Sequence, residues 1–158
     1  MTLGLKRLLI RLLGVLLCAA VAVRAVVWAV SQPPAGLGIT DNQLAACSDR
    51  PNCVSSFSQT DRHRIAPLPF QGSTDHLIEN LKSIVNGLPR TRVVRQTSRY
   101  LHIEFRSFWF GFIDDVEFLV DASQKRVQFR SASRMGYSDL GVNRQRMEMI
   151  RQLCDGNL

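Results

Sequence analysis

No acidic residue precedes position 32, whereas Lys6, Arg7, Arg11 and Arg24 all lie there. That asymmetry explains most of the formal charge of +7, because the remainder holds 16 of the 20 basic side chains against all 13 acidic ones. A surplus so small gives no basis for a nucleic-acid-binding surface, and none is expected. Internal repeats are absent too, which excludes solenoids and arrays. No closely spaced Cys-x-x-Cys pair has a histidine beside it, so no metal site and no cofactor are expected. The Gly-x-Ser-x-Gly elbow of the α/β-hydrolases is also missing.

The positive head of Lys6, Arg7 and Arg11 is followed by a charge-free apolar run, Leu12 to Val23. Beyond Arg24 the apolar character resumes through Val30. Twelve residues are short against the roughly 20 needed to span hydrocarbon, but Leu8 to Val30 suffices if Arg24 snorkels toward the interface. Trp28 suits an interfacial anchor, and the positive head should stay cytoplasmic. The expected partner of residues 8–30 is therefore the membrane, with the carboxy-terminal domain outside the cytoplasm. The alternative is a cleaved signal with Ala29-Val30-Ser31 as its small-residue site. A lipoprotein is rejected, since Leu17 precedes Cys18 where a small residue is required. The resulting division is a membrane segment over 1–31, a Pro- and Gly-rich tether over 32–43, and one domain over 44–158.

Residues 40–72 read as irregular, and Ile65 to Phe70 is too proline-bound for a central strand. Leu77, Ile78, Leu81, Ile84 and Val85 define one face of a helix, with Ser73, Thr74 and Asp75 offering capping oxygens. Four strands follow over 92–97, 100–107, 112–121 and 126–133. The second sets Leu101, Ile103 and Phe105 against His102, Glu104 and Arg106. The third sets Val116, Phe118 and Val120 inward, with Asp115, Glu117 and Asp121 outward. The 122–125 loop fixes a hairpin register in which Phe118 faces Phe129 and Glu117 faces Arg130. A last helix runs from about Asp139 to Cys154, with Leu140, Asn143, Met147, Ile150 and Cys154 as its inward stripe and Asp139 suited to its first turn. This order predicts an α+β fold: an antiparallel sheet of about four strands with two helices on one face.

Between the last strand and the last helix lies RSASRMGYSDLGVNRQR, Arg130 to Arg146, a polar stretch with four arginines. With PNCVSS at Pro51 to Ser56 and DDVEF at Asp114 to Phe118, it resembles the domain-of-unknown-function (DUF) 1499 family over about Leu44 to Arg151. The family's usual CP-x-x-PNCVSS is matched except that Ser48 replaces the proline. The resemblance implies an exported or membrane-tethered domain and no established activity.

Asp114, Asp115 and Glu117 form an acidic cluster near these arginines. Paired carboxylates could serve acid–base chemistry, but neutralisation across the sheet satisfies them as well. Arg130, Arg134 and Arg144 could clamp a small anionic ligand at the amino end of the last helix, with Asn143, Ser131 and Ser133 setting its orientation. An envelope protein is the other partner considered. His76 and His102 read as surface or boundary residues. Cys47 and Cys53 can close a short disulfide loop in an oxidising compartment, leaving Cys154 as a buried thiol. The aromatic run Phe108 to Ile113 reads as core at a sheet edge, the alternative being a segment that dips into the bilayer. The leading reading is a non-catalytic binding or structural module on a membrane anchor. The alternative is a ligand-binding domain or enzyme built on Asp114, Glu117, Arg130, Arg134, Asp139, Asn143 and Arg144.

Overall fold

The computed structural model describes residues 3–156 and 158. Helix α1 (Leu3–Val30) is long and apolar enough to cross a membrane, a property that signal sequences share. Its described side chains are exposed almost throughout, except Val27, near its end, which is buried.

The α+β domain is centred on one antiparallel sheet. Strands β3 (Thr91–Gln96), β4 (Tyr100–Arg106), β5 (Ile113–Asp121) and β6 (Arg126–Ser133) form a meander. Two short strands missing from the sequence reading, β1 (Cys53–Ser55) and β2 (Leu68–Pro69), pair in succession with the free edge of β6. Pro69 is tolerated there because an edge strand can spare the missing N–H. In the β5–β6 hairpin, Phe118 lies opposite Phe129 and Glu117 opposite Arg130, the register that the loop length and pair chemistry predict.

Helices α2 (Leu77–Asn86) and α3 (Val142–Cys154) cover one face. Leu77, Ile78, Leu81 and Val85 from α2, and Met147, Ile150 and Cys154 from α3, close over Leu101, Ile103, Val116, Phe118, Val127 and Phe129. Burying so many large apolar side chains, at roughly 1.5–3 kcal/mol each, makes this layer the main source of stability. Two local readings are corrected. None of Ser73, Thr74 and Asp75 caps α2, whose boundary residue is His76; Ser73 instead accepts the Asp75 N–H in a tight turn. Leu140 is 88% exposed and sits at φ 55° in the turn before α3, so it lies outside the inward stripe.

The other sheet face is also covered. The chain from Ser31 to Leu44 runs across it, and Leu44 packs on Tyr100 and Leu119 with Phe57 alongside. The stretch expected as a tether is thus partly seated on the sheet, the Gly38 N–H donating to Glu117 at 2.8 Å; just before it, the Ser31 carbonyl accepts from Arg134 at 2.8 Å. A disulfide joins Cys47 to Cys53, tying this covering segment to the start of β1.

Candidate functional site

Strand alternation sends Tyr100, His102 and Glu104 from β4, Asp115 and Glu117 from β5, and Arg130 and Arg134 from the β6 end to the face opposite the helices. The sequence reading assigned the first two strands' polar residues to the outside. Their face is as expected, but their environment is the reverse: Glu104 and Asp115 are 1% exposed, Glu117 is fully buried, and His102 is buried as well.

Cross-strand register places Glu104 directly opposite Asp115. Two facing carboxylates in a dry layer repel unless a cation lies between them. Arg134 is that cation. Its Nε and Nη2 bind the two Asp115 oxygens at 2.8 and 2.7 Å, its Nη2 reaches Glu104 at 2.7 Å, and its Nη1 donates to the Ser31 carbonyl. The planar guanidinium fork suits such a task, which a lysine could not perform. Arg92 closes the other Glu104 oxygen at 2.9 Å, and His102 Nε2 lies 2.7 Å from Asp115.

Burial alone would raise both carboxyl groups. The hydrogen bonds and charge of Arg134, joined by His102 at Asp115 and by Arg92 at Glu104, outweigh it and hold both below the usual carboxylate range. Burial lowers the Arg134 guanidinium, but Asp115 and Glu104 more than reverse that, so it stays charged.

A second knot forms around Glu117. It accepts from the Gly38 N–H, from the Tyr100 hydroxyl at 2.7 Å and from Arg130 Nη1 at 3.3 Å. Burial, then the hydrogen bond to Glu117, pushes the Tyr100 phenol well above its ordinary range, so it remains a donor. Arg130 Nε is buried without a partner.

The remaining candidates lie elsewhere. On the helix-covered face Asn143, fully buried, accepts from Ser131 Oγ at 2.6 Å and Arg146 Nη1 at 2.7 Å, and donates to the Asn52 carbonyl and Ser133 Oγ at 3.0 Å. Both its oxygen and its nitrogen are satisfied, tying α3 to β6 and to the loop before β1. Asp114 pairs with Arg146 at 2.5 Å. Asp139 accepts the N–H groups of Gly141 and Asn143 at 3.0 and 2.7 Å, anchoring the first turn of α3. Arg144 donates to the carbonyls of Arg64 and Arg62 at 2.9 and 3.0 Å.

The structure therefore separates the seven candidates: Glu117, Arg130 and Arg134 share the polar face, Asp114 and Asn143 the helix face, and Asp139 and Arg144 the start of α3. Glu117 and Arg130 bind each other, whereas the other five bind side chains outside this set or backbone groups, so the seven do not converge on one cleft. Sequence reasoning missed Tyr100, His102, Glu104, Asp115 as a buried group, Arg146 and the Ser31 carbonyl. The signal that could have found Glu104 and Asp115 is their like-charge facing, which demands a cation where that face is buried. His102 and Asp115 match two members of a hydrolytic triad by type. That carboxylate is shared with Arg134, however, and among the described residues no serine or cysteine is hydrogen-bonded to the imidazole. No group of three or more His, Cys, Asp and Glu side chains among the described residues could hold a metal.

Fold and site together define an α+β domain with a dry polar layer on one sheet face, joined to an apolar amino-terminal helix. Residues 43–153 match the family described as "Protein of unknown function (DUF1499)", and the chain belongs to that family. Comparisons with curated proteins and with solved structures gave no significant match.

Proposed function

We propose that this chain is a single-pass, membrane-anchored envelope protein whose exported domain is a non-catalytic binding or structural module. The observation that supports this reading is that three of the four arginines in the Arg130–Arg146 stretch are already engaged within the chain. Arg134 spends its donors on Asp115, Glu104 and Ser31, Arg144 on two backbone carbonyls, and Arg146 on Asp114 and Asn143. An anion arriving at these groups would have to break bonds already made. The Ser31 carbonyl also supports retention of α1, because a cut after Ser31 would remove an acceptor from Arg134.

One observation favours a ligand-binding reading: the unpartnered Nε of Arg130. Melting the full chain in micelles with and without inorganic phosphate separates the two. No shift of the midpoint is expected; a rise with phosphate that Arg130→Ala abolishes would establish an anion site. Salt-washed membrane fractions should retain the intact chain, whereas a soluble product beginning at Gln32 would show that the leader is removed.

A further inference from the structure

Of the run Phe108 to Ile113, read from the sequence as core, Ile113 at the start of β5 is buried, but the four aromatic residues before it are not. Phe108, Trp109, Phe110 and Phe112 are all exposed, Trp109 by 77%. The loop is nonetheless built. The Ser107 N–H donates to the Phe112 carbonyl, and the Phe112 N–H to Ser107 Oγ, both at 2.9 Å. The rings associate in two pairs, Phe108 with Trp109 at 4.9 Å edge-on and Phe110 with Phe112 at 5.5 Å stacked. Gly111 turns the chain at φ 74°, a conformation in which a side chain would be strained. Four large apolar rings held in water this way would be a cost without a return, and surface aromatics in such density mark an interaction site.

What covers them is indicated by where the loop sits. Arg24 Nη1 of α1 donates to the Trp109 carbonyl at 3.2 Å, and the same guanidinium lies over Gly111. Arg24 stands six residues before the end of α1, about 9 Å of helix rise. In a spanning helix ending near Val30, that height is the outer edge of the hydrocarbon, where guanidinium groups snorkel and tryptophans collect. Ser31, buried and bonded through its carbonyl to Arg134 and through its hydroxyl to Met135, holds the helix end to the sheet. The loop thereby stands beside α1. Arg90, 5.5 Å from the Phe108 ring, adds a cation of the kind found where aromatic residues meet lipid headgroups.

The geometry points to the Phe108–Phe112 loop as a second membrane contact: its rings enter the outer interfacial layer of the bilayer beside α1, seating the domain on the membrane in one orientation. This inference rests on the reading of α1 as a retained anchor.

The chain contains two tryptophans, Trp28 on α1 and Trp109 on the loop, so each can be isolated as a reporter. The full chain carrying either Trp28→Phe or Trp109→Phe is reconstituted in phosphatidylcholine–phosphatidylglycerol vesicles. The phosphatidylcholine is brominated either near the headgroup or near the methyl end of its chains. Trp109 should show blue-shifted emission and about a twofold loss with the shallow bromine, less with the deep one, as for an interfacial ring. Iodide in the buffer should quench it little. If Trp28 is quenched by brominated lipid while Trp109 responds only to iodide, the loop contact is wrong and the anchor stands. If neither responds to brominated lipid, the anchor reading fails and this inference with it. A Trp109 shielded from both quenchers would mean that protein, not lipid, covers the loop, which also overturns the proposal.

Discussion

The two faces of the sheet are buried to a similar degree by opposite chemistry. On one, Phe118 and Phe129 with the aliphatic residues of β4–β6 meet two amphipathic helices. On the other, Glu104, Asp115, Glu117, Arg130 and Arg134 meet an irregular segment that includes the Pro- and Gly-rich stretch. Apolar packing is non-directional and forgives small rearrangements, whereas a dry charge layer is favourable only while every member keeps its partner. The helix face should therefore govern how stable the domain is, and the polar face how strictly the segment after α1 is seated.

The sharpest way to break the polar face is Arg134→Met, which strands two buried carboxylates at once. A loss of roughly 5 kcal/mol is expected, the upper end for breaking a buried ion pair. The loss should also depend on pH. Asp115 and Glu104 titrate below their ordinary range in the folded chain. Their contribution is thus present above the unfolded carboxylate pKa of about 4 and disappears as pH falls through the folded values. Chemical unfolding of parent and variant should give a difference that is greatest near neutrality and shrinks in acid. A difference independent of pH would place the effect in packing.

On the helix face, Phe118→Ala should cost about 4 kcal/mol through lost burial and an unfilled cavity, with no such pH dependence. Replacing Cys47 and Cys53 together by serine should cost about 2 kcal/mol by chain entropy, since the bridged residues are six apart. Cys154 bears on the comparison from the apolar side: burial pushes its thiol up to about 11, partly offset by Arg151. In native protein it should react slowly with thiol reagents, at a rate set by opening of α3.

Much of this contrast was legible in the sequence. Alternation named the residues on each face, and the short 122–125 loop with its aromatic and charge pairs set the β5–β6 register. Helix periodicity placed Asn143 among buried neighbours. What alternation does not encode is whether the polar face meets water. His102, Glu104 and Asp115 read as exterior because the segment that covers the polar face, Ser31 to Leu44, has no hydrophobic period and makes only brief pairings. Of the run Phe108 to Ile113 read as core, Ile113 is buried but the aromatic residues project: such a run looks the same either way, and only the closure of the loop beside α1 distinguishes them. Leu140 fitted the helical stripe by spacing alone, but its left-handed backbone lies outside the helix.

The central claim is that the arginines of the polar face are partners of its carboxylates within the chain. The most direct measurement is a double-mutant cycle of Glu117→Ala and Arg130→Ala, each melted alone and together. Glu117→Ala alone should cost roughly 3 kcal/mol, because it leaves Arg130 and the Tyr100 hydroxyl without their acceptor. Adding Arg130→Ala should recover part of that loss, giving a coupling of about 1–2 kcal/mol. Effects that add to within about 0.5 kcal/mol, or an Arg130→Ala variant more stable than the parent, would contradict the account.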